Sequence, residues 1–103
     1  MIETEPFDAA RYLKSPESQS ELLNDAFLSG DTGYISQAFG VIARARGMTE
    51  VARAAGITRE ALYKSLSETG DPRLSTLLGV TRALGMTLSV QACDVLEPAP
   101  SEN

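Results

Sequence analysis

The chain has 103 residues, 43% of them hydrophobic and 22% charged, with a formal net charge of −5. That suffices for one globular domain around a single core, and the apolar runs fall far short of the ~20 residues needed to cross a bilayer. With no histidine and one cysteine, Cys93, an internal disulfide is excluded, as is every Ser-His or Cys-His dyad and the commonest general base and metal ligand.

The acidic opening, Met1-Ile2-Glu3-Thr4-Glu5, does not fit a secretory leader. Cys93 has no basic neighbour to activate it and reads as an inert thiol. Gly30-Asp31-Thr32-Gly33 lacks the lysine and preceding strand of a phosphate loop. The expectation is a cytoplasmic non-enzyme with no cofactor and no metal.

In chain order, the sequence reads as helices punctuated by caps and glycines. Phe7-Asp8-Ala9-Ala10-Arg11-Tyr12-Leu13 predicts a short helical turn capped by Asp8, with Phe7 as staple. Ser15-Pro16-Glu17 opens a second helix carrying Leu22, Leu23, Ala26 and Phe27 and closing at Gly30. Asp31 caps the next, whose Ile35, Ala38, Phe39 and Ile42 follow helical spacing up to Gly47. Arg44 and Arg46 fall at its negative end. Two short helices follow, Thr49 to Ala55 closed by Gly56, then one capped by Thr58 and running to about Leu66. A loop through Gly70-Asp71-Pro72 leads to a helix bearing Leu74, Leu77, Leu78 and Leu84 and ending at Gly85.

After that helix the period changes. Thr87-Leu88-Ser89-Val90-Gln91-Ala92 alternates polar and apolar residues, as a half-buried strand does. A lone strand needs a partner from another chain. The fold class expected is therefore all-α, a bundle of about five to six helices with one short C-terminal β-strand. Its organisation reads as an acidic helical segment over 1–33, the main helical domain with the terminal strand over 34–92 and a disordered Pro-rich tail over 93–103.

The informative stretch is Met48 to Leu66. Two short helices meet at Gly56, and Ala52 is small where they cross. Val51, Ala55, Ile57, Leu62 and Leu66 supply an inner apolar face. Arg59, Glu60, Tyr63 and Lys64 then fall on the outer surface of the second helix, the part of a helix-turn-helix that enters the major groove. Arg59 can donate twice to guanine, Glu60 can accept from cytosine, Lys64 reaches guanine or phosphate, and Tyr63, counted with them among the DNA-reading residues, can stack on a sugar or hydrogen-bond a phosphate. Thr49, Arg53, Thr58 and Arg73 are the candidate phosphate contacts. An ordinary helical hairpin with a polar outer face is the alternative.

Charge distribution permits this reading. Residues 40–90 carry seven cations against four carboxylates, a net of +3, between an N-terminal stretch over 1–39 of net −5 and a tail of net −3. Local field rather than total charge steers a polyanion.

The residues Ile42-Ala43-Arg44-Ala45-Arg46-Gly47-Met48-Thr49, the run from Ala55 through Ser67, Gly70-Asp71-Pro72 and Ala83-Leu84-Gly85-Met86 resemble the addiction-module antidote family. These are antitoxins with a Cro- and lambda-repressor-like helix-turn-helix, and the similarity spans roughly residues 7–92. The resemblance implies an all-helical DNA-binding domain, a small basic toxin of the RelE-like class as partner, and repression of its own operon. It also places Arg59, Glu60 and Lys64 in base-reading positions, supported by Thr58 and Tyr63. Asp71 departs from the asparagine usual before that proline and would repel phosphate.

The operator would be double-stranded DNA read by a homodimer, because one short helix covers too few bases. Candidate partner contacts are Phe7, Tyr12 and Leu13 near the start, with Leu88 and Val90 of the strand. The acidic N-terminal stretch would complement a basic toxin surface. A stand-alone prophage-type regulator, or an interaction module that has lost DNA binding, are the rival readings.

Overall fold

The computed structural model describes residues 15–92, and within them every regular element is helical. The elements are α1 (Pro16–Ser29), α2 (Thr32–Arg46), α3 (Met48–Ala55), α4 (Arg59–Ser65) and α5 (Leu74–Ala83). The expected turn at Phe7 to Leu13, Cys93 and the tail lie outside the described residues.

Local chemistry sets the helix ends. The Ser15 hydroxyl accepts from the Ser18 N–H at 3.1 Å, with Pro16 in the first turn. Asp31 accepts from Gly33 and Tyr34 N–H at 2.9 and 3.3 Å, so Asp31 alone separates Gly30, which closes α1, from the start of α2. The Tyr34 hydroxyl donates to the Asp25 carboxylate at 2.6 Å and ties α2 back to α1. Gly47 alone links α2 to α3. Its N–H donates to Ala43 and its carbonyl accepts from Val51.

The core is shared by every described helix. It comprises Leu23 and Ala26 of α1, Ala38, Phe39, Ile42 and Ala43 of α2, Met48, Val51 and Ala52 of α3, Leu62 of α4 with Leu66 just beyond it, and Val80 of α5 with Leu84. Phe39 is fully buried and meets Phe27 edge-on, with ring centroids 6.0 Å apart. Burying side chains of this size contributes about 1.5–3 kcal/mol each.

Two helix-interior glycines let backbones touch. A Cβ on Gly40 would run into the Leu66 carbonyl, and one on Gly79 would sit 3.1 Å from the Ala55 Cα. The first seats the end of α4 on α2 and the second seats α5 on the end of α3.

The structure adds two facts to the sequence reading and corrects one expectation. The leucines of the last helix do not all face inward: Leu74 is 69% and Leu78 43% exposed, while Thr76, Val80 and Thr81 are buried. The Thr81 hydroxyl donates to the Leu77 carbonyl at 2.6 Å, which makes a buried threonine tolerable. Arg46 lies in the last turn of its own helix as expected and also reaches across to α5, where it donates to the Ala83 and Leu84 carbonyls at 3.3 and 3.2 Å. The strand expected at 87–92 does not form in the single chain, because a ladder needs a second strand and the other described elements are helices. Leu88 is half-buried in that segment and Val90 is fully exposed.

Two measurements check this packing. In Gly40→Ala the helix propensity gain of about 1 kcal/mol is outweighed by overpacking of up to about 3 kcal/mol against a rigid carbonyl. The variant should lose about 1–2 kcal/mol in urea unfolding at unchanged slope. Tyr34 has its pKa raised above the ordinary 10.0, first by the hydrogen bond to Asp25, then by desolvation and the carboxylate charge. Its stabilising contribution is therefore full below the ordinary value and lost as pH climbs through the raised one. Tyr34→Phe should lower the melting temperature at neutral pH, and the gap from the wild type should close in alkaline titration.

Candidate nucleic-acid interface

α3 and α4 are joined by three residues. Gly56 takes a left-handed conformation, φ 76°, and its N–H donates to Arg53 at 3.2 Å while Ile57 donates to Ala52 at 3.1 Å. A residue with a Cβ resists that conformation, so the glycine sets the angle at which α4 leaves. Thr58 then caps α4, its hydroxyl accepting from the Ala61 N–H at 3.0 Å. The hydroxyl proton stays available to a further acceptor. Leu62 and Leu66 anchor α4 from within, fully buried, leaving Arg59, Glu60, Tyr63 and Lys64 on the surface.

Arg59 and Tyr63, one turn apart, form a unit. The guanidinium carbon lies 5.2 Å from the ring centroid, and Nη2 is 3.5 Å from the hydroxyl, the outer limit of a hydrogen bond. The stack is thus the dominant contact. It holds the guanidinium plane while its outer edge remains free to donate.

This pair forms one wall of an open groove of about 570 Å3, lined also by Arg44, Gly47, Met48, Thr49, Glu50 and Arg53. Of the residues singled out in the sequence, the groove brings together Thr49, Arg53, Arg59 and Tyr63. Glu60, Lys64, Thr58 and Arg73 are exposed but do not line it. Arg73 occupies the N-cap position of α5 without a capping side-chain bond. Arg44 belongs to the groove although its sequence position suggested only compensation of a helix end. Its place one turn before Gly47, with α3 folding back beside it, is a tertiary fact that spacing does not carry.

The groove is cationic with one opposing charge. Three arginines, Arg44, Arg53 and Arg59, line it together with Glu50, and no ion pair forms among the described residues at this face. Such a surface suits an extended anion with regularly spaced charges rather than a small buried ligand. Among the described residues no helix is long and apolar enough to cross a membrane.

Comparison with known proteins adds a family. The family model described as "Probable addiction module antidote protein" matches residues 3–92. An uncharacterized protein of Haemophilus influenzae is 45% identical over 85 residues, which cover 82% of this chain and 88% of that relative. No solved structure matches the chain. A match over nearly the whole chain, to a family whose members resemble it as the central residues suggested, leads to one assignment: the chain belongs to the addiction-module antidote family.

Proposed function

We propose that the chain is an antidote that binds operator DNA through a helix-turn-helix formed by α3 and α4 and represses its own operon. The observation that carries this is the solvent-facing groove lined by Arg44 from the end of α2 and by Arg53 and Arg59 from the two short helices joined at Gly56. In this reading α4 lies in the major groove of double-stranded DNA. Arg59 donates to guanine O6 and N7, Glu60 accepts from cytosine N4, and Lys64 reaches a guanine edge or a phosphate, with Tyr63 buttressing Arg59. Thr49, Arg53, Thr58 and Arg73 contact phosphates and set the register, and Arg44 joins them. The protein works as a homodimer on two half-sites in the cytoplasm, without a cofactor.

The partner in this reading is a small basic toxin of the RelE-like class. Family membership supports a toxin, and an N-terminal stretch over 1–39 of net charge −5 complements the basic surface an RNA-cleaving protein needs. Phe7, Tyr12 and Leu13, candidates for that contact, lie outside the described residues, whereas Leu88 and Val90 are on the surface segment after α5.

The DNA half of the reading is tested by fluorescence anisotropy on duplex from the region upstream of the gene. Arg59→Ala should weaken binding by about 1–3 kcal/mol, and Arg53→Ala should reduce the salt slope by about one phosphate contact. Glu50→Gln should tighten binding, because it removes the one carboxylate facing the phosphates. A wild-type chain indifferent to that duplex overturns the assignment. For the toxin half, the tagged chain should retain the neighbouring gene's product at equal stoichiometry from a native lysate; recovery of the chain alone with that gene expressed points to a stand-alone regulator.

A further inference from the structure

Beyond α5 the chain runs through Met86-Thr87-Leu88-Ser89-Val90-Gln91-Ala92, which has no charged side chain and alternates apolar with polar residues throughout. The Met86 N–H donates to Thr81 at 3.0 Å, and from Thr87 onward no backbone hydrogen bond forms among the described residues. Leu88 lines an open groove of about 270 Å3 with Leu23, Phe27 and Met86. Val90, two residues on, is 96% exposed. Sheet edges that stay in water are blunted by charge or proline. This segment has neither, so its backbone and apolar side chains call for a cover.

We propose that residues 87–91 pair antiparallel with the same residues of a second copy, across a two-fold axis at Ser89. Self-pairing suits an uncharged segment in particular, because a charge near such an axis meets its own copy. The register follows from the alternation. Side chains repeat with a period of two, so only pairings of even sum set apolar against apolar. The axis at Ser89 places Leu88 opposite the partner's Val90 and Thr87 opposite the partner's Gln91. The partner's Val90 thereby comes to lie beside Leu88 at the groove walled by Leu23 and Phe27. A two-stranded ribbon alone is marginal in water, and the two grooves supply the layer it packs on. The proposal rests on the DNA reading only in giving that reading its dimer; the pairing itself follows from the segment's own chemistry.

The full chain at micromolar concentration, without DNA, should scatter light with twice the single-chain mass. Val90→Lys, which places a charge beside the groove, and Ser89→Pro, which removes a ladder N–H, should each halve that mass while circular dichroism shows the helices retained. In a Cys93→Ser background an added oxidant should link Ser89→Cys into a covalent dimer, since opposed Cα atoms about 4.5–5.5 Å apart are within disulfide reach. Thr87→Cys should not link, its two copies lying about 13 Å apart along the ribbon. A monomeric wild type, a dimer that survives both substitutions, or linkage at 87 rather than 89 overturns the pairing. A monomer that still binds its promoter removes the strand dimer and leaves the DNA reading standing. A strand dimer indifferent to its promoter does the reverse. A monomer whose Val90→Lys variant loses a co-purifying protein assigns the segment to that partner's sheet edge instead.

Discussion

How closely the helices approach one another decides what the outer surface can present. Gly40 lets the end of α4 rest its Leu66 carbonyl on α2, and Gly79 lets α5 lie on Ala55 at the end of α3. With a side chain at either place the short helices would stand off by about a methyl group, and interiors packed to crystal density do not absorb that without strain. The core residues Phe39, Ile42, Leu62 and Leu66 fill the space so defined. The tilt of α4, and with it the direction of Arg59, Tyr63 and Lys64, follows from those two backbone contacts together with the left-handed turn at Gly56.

Helix boundaries were legible in the sequence because they depend on neighbours in the chain. Ser15 before Pro16, Asp31 after Gly30, and Thr58 after Gly56 each perform the cap their position predicts. Facing was less legible. The last helix carries three leucines and two threonines, yet it buries Thr76 and Thr81 and exposes Leu74 and Leu78. Apolar content alone misjudges it, since the Thr81 hydroxyl is satisfied within the helix and costs little to bury. The close approaches at Gly40 and Gly79 were not legible, because the backbone each one touches lies far away in sequence. Arg46 is the same case, closing a helix that ends 37 residues after it.

The candidate surface divides along similar lines. One turn of helix relates Arg59 to Tyr63, so their stacking could be read from spacing. The meeting of that pair with Thr49 and Arg53 required two helices to be placed correctly, and the turn glycine with the inner apolar residues made that readable too. Arg44 was not attributed to the surface, since α2 reaches it only through the one-residue link at Gly47. Lys64 and Arg73 lie on the surface outside the groove, which leaves them in the proposed reading as contacts at its flanks.

α3 and α4 are 8 and 7 residues long, below the ~12–15 residues at which a helix alone becomes marginally stable in water. Neither has a life apart from the core beneath it. The amides of α4 therefore exchange with solvent only when that core opens, and the groove vanishes in one step rather than fraying. Whatever occupies it draws on the folded population alone, so occupancy raises the melting point of all five helices in proportion to the logarithm of ligand concentration. The recognition surface and the fold are a single cooperative unit, and a lesion as remote as α5 registers at the groove as a smaller fraction of competent molecules.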